Sequence, residues 1–245
     1  MKLPLTLEQN ASAKATVSIT HCRVCGRGFF QEPLLRYENM PGAAQFLPDT
    51  ESLESDSGVD LDVYQCSGCG LVQLSNAPVP YYREVIRAAA FSTEMKNFRM
   101  TQFEGFIRRF SLKGEKVIEI GCGCGEFLSI VQQLDVEAYG LEYSEESAAR
   151  CLKNGLKVSR GFIESRNYRL DHAPFEAFLI LNFLEHLPDP NSTLTGINNN
   201  LSDNAVGLVE VPNFDMILRK KLFCEFIGDH LFYFTRETLN ATLNL

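Results

Sequence analysis

Val117-Ile118-Glu119-Ile120-Gly121-Cys122-Gly123-Cys124-Gly125-Glu126-Phe127 is the stretch that decides the fold of this 245-residue chain. A short β-branched run enters three alternating glycines, and the apolar spacing of Phe127, Leu128, Val131 and Leu134 that follows is helical. The segment therefore reads as a strand over 116–120, a tight turn, and a helix over 126–134. Glycines accept positive φ and let a ligand approach the backbone, and the first amides of a helix present unpaired N–H donors. This predicts a ligand-binding βα turn. Counted from Gly121, the third glycine of a dinucleotide-binding G-x-G-x-x-G falls at Glu126. A carboxylate there competes with a pyrophosphate for the same helix N-terminus, so NAD is disfavoured.

The acidic groups point to a different ligand. Glu119 precedes the turn, Glu126 follows it, and Glu142 stands at the end of the next apolar run. Such a surround suits a ligand with positive charge and a ribose diol, and S-adenosylmethionine (SAM) carries a sulfonium, an ammonium and two ribose hydroxyls. On "VIEIGCGCGEFL" and the acidic "YGLEYS", the chain resembles the class I SAM-dependent methyltransferases. That resemblance implies that Gly121, Gly123 and Gly125 wrap the methionine part, with Glu119 close by. It also implies that Glu142 accepts hydrogen bonds from the ribose hydroxyls. Phe162 has two readings, adenine stacking and core packing. Asn182, at the tip of the fourth strand, is assigned to the same site.

Composition narrows the substrate. A net charge of −8 and a pI near 5.1, with no Lys/Arg-rich run, argue against nucleic acid and favour a small molecule. No apolar stretch approaches the ~20 residues of a membrane span and residues 1–20 hold no signal core, so the expectation is a cytoplasmic protein with no membrane partner. In a reducing compartment, eight cysteines point to metal ligands and buried thiols rather than disulfides.

Residues 1–20 are expected to be a flexible lead-in. Over 21–75, Cys22-Arg23-Val24-Cys25-Gly26 and Cys66-Ser67-Gly68-Cys69-Gly70 are two C-x-x-C knuckles whose four thiolates satisfy tetrahedral zinc. His21 reads as a neighbour, since four ligands already suffice. Between the knuckles, the acidic run 51–62 reads as a solvated loop. Residues 76–112 form a linker, marked by Pro78 and Pro80, and then a helix from Ser92. In that helix Met95, Phe98, Gln102, Phe103, Phe106, Ile107 and Phe110 fall on one face.

From 113 to 245 strands (116–120, 138–141, 157–159, 177–181, 206–211) alternate with helices (126–134, 145–154, 191–201). Alternation of this kind predicts an α/β fold, a doubly wound, mostly parallel Rossmann-like methyltransferase sheet preceded by the small zinc-binding module. Ligands then gather at the carboxyl ends of the first and fourth strands, where the winding reverses.

The two knuckles, the segments "PLLRYENMPGAAQFLPD" and "YQCSGCGLVQL", and "GDHLFYF" further on resemble the sugar C-methyltransferases that carry an N-terminal zinc-binding domain. The resemblance implies methyl transfer to a carbon of a nucleotide-linked keto-deoxysugar. In those enzymes a Tyr-His-Glu-His-Leu context follows the fifth strand, and here it reads Ile227-Gly228-Asp229-His230-Leu231. His230 is then the general base or else a hydrogen-bonded residue orienting the loop, and Asp229 orients the imidazole or binds a sugar hydroxyl. Where the tyrosine has become Ile227, Tyr81, Tyr82 or His186 of the "EHLPDP" segment could compensate. O-methylation in a natural-product pathway and a catalytically silent module binding SAM and zinc are the alternatives. The resemblance implies a two-strand hairpin and a further C-terminal domain beyond the stretch that residues 1–245 cover. The expectation is a C-terminally truncated piece whose last sheet strand is an edge.

Overall fold

The computed structural model describes residues 18–45, 47–84 and 91–244. Residues 1–17 of the expected lead-in and 85–90 of the linker lie outside the described residues. The carboxyl-terminal part is built on five strands: β4 (Lys116–Ile120), β5 (Glu137–Glu142), β6 (Val158–Arg160), β7 (Phe175–Leu181) and β8 (Leu201–Glu210). Three strands, β1 (Leu35–Met40), β2 (Val59–Gln65) and β3 (Val72–Leu74), and the helix α1 (Thr93–Arg109) precede them. The five strands lie in the order β6-β5-β4-β7-β8, and every pairing is parallel. The helices α2 (Leu128–Val131), α3 (Glu145–Lys153) and α4 (Pro190–Asn198) lie in the β4–β5, β5–β6 and β7–β8 connections, and residues 161–174 join β6 to β7 without a helix. This is the predicted Rossmann-like arrangement, reversing direction between β4 and β7.

Alternating side chains divide the core between the two faces of the sheet. Ile118, Ile120, Leu141 and Ile180 pack on one side, and Val117, Ala138, Leu179 and Leu181 pack on the other against Phe103 of α1 and Leu128 of α2. Burial on both faces explains why these strands read as continuous apolar runs.

The second sheet is antiparallel, in the order β1-β2-β3-β9, and its last strand, β9 (Phe232–Tyr233), comes from far along the chain. Val72 pairs with Tyr233 and Gln73 with Phe232. Leu61, Val63 and Leu74 share a core with Phe214 of α5 (Phe214–Lys220), Phe226 and Tyr233. The stretch after β8 thus completes the amino-terminal sheet before the chain ends in α6 (Arg236–Leu243).

Three local expectations are corrected. The helix predicted over 126–134 is helical only over Leu128–Val131, because the amides of Gln133 and Leu134 reach back three residues rather than four and tighten the turn. The acidic run 51–62 is not all loop: residues 59–62 begin β2, burying Leu61 while Asp62 faces outward and pairs with Arg36. On α1, Phe98 and Phe110 are 56% and 41% exposed, and Arg99 takes the buried face between Met95 and Phe103. No helix among the described residues is long and apolar enough to cross a membrane.

Candidate active site

The glycine-rich turn leaves β4 with Gly121, Gly123 and Gly125 at φ values of 71°, 57° and 82°, all in the left-handed region that favours glycine. A Cβ on Gly121 would lie 2.9 Å from the Phe183 ring, so the turn is closed against the tip of β7. Glu142, at the end of β5, is 7% exposed and grips the turn directly. Its Oε2 accepts the Gly123 N–H at 2.7 Å and its Oε1 accepts the Ser144 N–H at 2.8 Å. An ionised carboxylate has about four acceptor sites, so two remain for a diol.

Gly121, Gly123, Glu142, Phe162 and Asn182 line one cavity, together with Tyr143 and Arg83. Phe162 meets Tyr143, Phe183 and Tyr82 edge-on, with ring centroids 6.2, 6.2 and 5.9 Å away. Asn182 adopts φ 53°, and its side-chain amide donates to Glu210 at 3.4 Å. Glu119 is placed differently: it is fully buried within β4 and is not among the cavity-lining residues.

Sequence reading missed Arg83. Its guanidinium sits 5.4, 5.6 and 5.3 Å from the Tyr82, Tyr143 and Phe162 ring centroids and 3.2 Å from Glu164. Tyr82 therefore packs behind the cavity wall, against Phe162 and with its hydroxyl accepting from Arg83 Nε at 3.1 Å, and not with the other candidate catalytic groups.

Those groups meet next to it. The chain continues from Asn182 and Phe183 into a single turn, Leu184–His186, where it faces residues 226–231. Asp229 Oδ1 accepts the Tyr81 hydroxyl at 3.0 Å and the Ala44 N–H at 3.1 Å. His186 Nδ1 lies 2.8 Å from the Asp229 carbonyl oxygen. A carbonyl only accepts, so Nδ1 carries the proton and Nε2 keeps its lone pair. The His186 and His230 rings stand 5.0 Å apart, centroid to centroid. Glu185, also unflagged by the sequence, is buried beside them, its carbonyl accepting the Leu231 N–H at 2.8 Å.

Burial sets the protonation states. Desolvation, reinforced by the neighbouring His230, pushes His186 down to about 3. Desolvation also lowers His230, against the pull of Asp229 toward the imidazolium. Both imidazoles are therefore neutral at pH 7. Burial and then the Asp229 charge push Tyr81 up to about 12, so its phenol remains a donor.

A buried ion pair ties α1 to the mouth of the site. Arg99 is 2% exposed, and its guanidinium donates to both oxygens of Glu210, with Nη1 to Oε2 at 2.6 Å. The same guanidinium lies 4.5 Å from the Phe127 ring centroid, just past the glycine turn. The sequence signal was a lone arginine at the i+4 position from Met95 and the i−4 position from Phe103.

In the amino-terminal unit the Sγ atoms of Cys22, Cys25, Cys66 and Cys69 lie within 4.8 Å of one another, with Cys22–Cys69 at 3.8 Å and Cys25–Cys66 at 3.3 Å. A tetrahedron with zinc–sulfur bonds of about 2.3 Å has sulfur–sulfur edges of roughly 3.8 Å, so the set fits zinc. Gly26 and Gly70, at φ 71° and 75°, shape the two knuckles. N–H groups of Val24 and Gly68 approach Cys22 and Cys66 sulfur at 3.4 and 3.3 Å. Gln73 Nε2 donates to Cys22 at 3.1 Å. Cys122 is buried in the glycine turn, apart from this cluster, and Cys124 faces Ser147.

A parallel sheet with a glycine cradle at its switch point and an acid at the tip of the next strand defines an α/β unit built to hold a nucleoside-containing cofactor. The family described as "Methyltransferase domain" matches residues 95–244, more than half of the sequence, and the chain belongs to that family. Curated relatives include the ubiquinone biosynthesis O-methyltransferase of Bordetella avium (strain 197N), 30% identical over 89 residues, covering 34% of this chain and 37% of the relative. The enzyme of the same name from Stutzerimonas stutzeri (strain A1501) is 36% identical over 90 residues, covering 34% and 38%. The matched region thus spans well under half the length of these relatives. Among solved structures, the plantazolicin methyltransferase BpumL in complex with SAH superposes with a TM-score of 0.50 at 19% identity, covering 62% of this chain and 64% of that one.

Proposed function

We propose that this protein transfers a methyl group from SAM to a small molecule, at a carbon beside a carbonyl, with a nucleotide-linked keto-deoxysugar as the acceptor. What carries the reading is the Tyr81–Asp229–His186–His230 constellation, reached through Phe183 directly from the glycine-lined cavity. The cavity residues fit SAM: Gly121 and Gly123 cradle it, the spare acceptor sites of Glu142 suit its ribose hydroxyls, and Phe162 gives an aromatic edge for adenine, whereas Gly125 does not line the cavity and packs against Leu156 and Cys151. Bound there, SAM supplies an electrophilic methyl on a sulfonium.

The chain's own groups supply the rest. Removing a poorly acidic C–H proton beside a ketone needs a base, and His230 is neutral at pH 7 with Asp229 next to it to favour the imidazolium that forms. Tyr81, a protonated phenol bonded to Asp229 Oδ1, holds that carboxylate in place, and His186, fixed through Nδ1–H by the Asp229 carbonyl, keeps the Nε2 lone pair to accept from a hydroxyl of the acceptor. General-base assistance of this kind contributes about 10²–10⁴ in rate. The curated relatives are O-methyltransferases by name, which supports O-methylation as the second reading. Transfer of label from methyl-labelled SAM to a panel of sugar nucleotides and phenols separates the two. Label on a carbon of a keto-deoxysugar supports the first, and label only on oxygen rejects it.

The four cysteines are proposed to hold one structural zinc. Four thiolates leave no open coordination position, so the metal orders the amino-terminal sheet and takes no part in methyl transfer. Elemental analysis should give one zinc per chain, reduced in Cys66→Ser; a metal-free, fully folded protein would reject the assignment.

A further inference from the structure

Two imidazoles and a carboxylate meet where the turn Leu184–His186 faces residues 226–231. One ring nitrogen of His186, one of His230 and one carboxylate oxygen of Glu185 all lie within 4.8 Å of one another. His186 Nε2 stands 3.9 Å from Glu185 Oε1. Zinc bonds to nitrogen and oxygen are about 2.0–2.2 Å long, which sets tetrahedral ligand atoms roughly 3.4 Å apart. An inward movement of about 0.5 Å brings this pair to that separation. Glu185 and His186 are both buried, so the group is shielded from bulk water.

The imidazoles are also held as metal ligands are held. A ligating histidine donates its second ring N–H to a carbonyl or carboxylate, which fixes the tautomer and aims the remaining lone pair. His186 Nδ1–H donates to the Asp229 carbonyl at 2.8 Å, which leaves Nε2, on the Glu185 side, to ligate. His230 is likewise hydrogen-bonded to the backbone of Glu225. Asp229 is itself anchored, its Oδ1 accepting the Tyr81 hydroxyl and the Ala44 N–H. Two nitrogens and one oxygen suit zinc, cobalt or nickel, whereas magnesium and calcium prefer all-oxygen sets.

We infer that Glu185, His186 and His230 bind a divalent transition-metal ion of the zinc or cobalt type, and that the bound ion switches methyl transfer off. The second half rests on the base proposed above. A neutral imidazole has one lone pair, so a metal that takes it from His230 leaves nothing to accept the proton. None of the three residues lines the glycine-turn cavity, so SAM binding is unaffected by the ion. The site shares no residue with the Cys22, Cys25, Cys66 and Cys69 cluster. Three ligands with an open position hold an ion less tightly than four thiolates, so the site fills when metal is supplied and the purified chain keeps only the zinc of the cysteine cluster.

The test titrates the full chain, as purified, with Co²⁺ alone. Cobalt held by nitrogen and oxygen shows its visible bands without the thiolate-to-cobalt charge transfer that marks the cysteine cluster. One equivalent of such cobalt should bind per chain, and Glu185→Gln and His230→Asn should each weaken it at least about tenfold. Calorimetric SAM affinity should be the same with and without the ion. In the parent, methyl transfer should be lost over the range in which cobalt binding saturates, and in Glu185→Gln the same inhibition should need at least about tenfold more metal. If Glu185→Gln fails to fold, seen as lost SAM binding, His230→Asn decides the binding. No cobalt spectrum of this type, cobalt bound only with the thiolate band, unchanged affinity in the folded variants, or full transfer with the site filled overturns the inference. Because the spectra require no methyl transfer, failure of the metal site and failure of the transfer reaction are separately visible.

Discussion

Removing the Glu142 carboxylate should damage both the shape of the glycine turn and its capacity to bind a ribose. In the structure this side chain accepts two backbone N–H groups, from Gly123 at 2.7 Å and Ser144 at 2.8 Å, at a position only 7% exposed. Hydrogen bonds to a charged group contribute about 1.5–3 kcal/mol each. Water entering the space left by Glu142→Ala recovers part of this, leaving a net destabilisation of about 3 kcal/mol. For a chain of this size that lowers Tm by roughly 6–12 °C. Loss of the diol acceptors should add a separate penalty of about 1.5–3 kcal/mol to SAM binding, or about ten- to over a hundred-fold in Kd. Thermal melts in the absence of SAM measure the first term, and calorimetric titration well below the melt measures the second. A variant that melts like the parent would refute the gripping role; one that binds SAM as tightly as the parent would refute the ribose assignment.

Three further outcomes are expected. His230→Asn should leave SAM affinity intact and lower kcat at least a hundredfold in single-turnover assays, whereas full activity in a folded variant removes the base. Arg99→Met should cost about 3 kcal/mol, the low end for breaking a buried pair because Glu210 keeps 30% side-chain exposure, and should weaken SAM binding through Phe127. Urea unfolding of the parent and Arg99→Met checks the first part. With His186 depressed to about 3 and His230 also lowered, the unfolded chain binds more protons than the folded one below the ordinary histidine value of about 6.5. Stability is therefore full above about 6.5 and falls as the pH drops, for His186 toward 3 by up to about 1.4 kcal/mol per pH unit, with a loss of the same sign from His230. Urea midpoints from pH 7.5 to 5 report that slope, and a flat profile in this window contradicts neutral burial of the pair.

The parallel sheet was legible because its strands are buried on both faces. β4 follows the apolar run at Lys116–Ile120 residue for residue, and the N-caps Ser92, Ser144 and Asp189 accept the N–H groups their positions call for. The amino-terminal sheet was obscured by composition: its strand β2 begins inside an acidic run, with only Leu61 and Val63 marking the buried face. The pairing of β3 with β9 could not be read at all, since a two-residue strand has no period and its partner lies far along the chain. Within the site, glycines and the acid at Glu142 announce themselves by spacing. Arg83 and the Arg99–Glu210 pair do not, because each depends on long-range packing that places a cation among aromatic rings or under a carboxylate. Glu119 shows the converse: a carboxylate beside the motif in sequence sits inside the sheet, away from the cavity wall.

The most direct measurement is calorimetric titration of the parent chain with SAM, repeated in Glu142→Ala and with NAD. One SAM should bind per chain, at least tenfold more weakly in the variant, with no heat of binding from NAD. Saturable binding of NAD, or no binding of SAM to the folded parent, would contradict the SAM assignment.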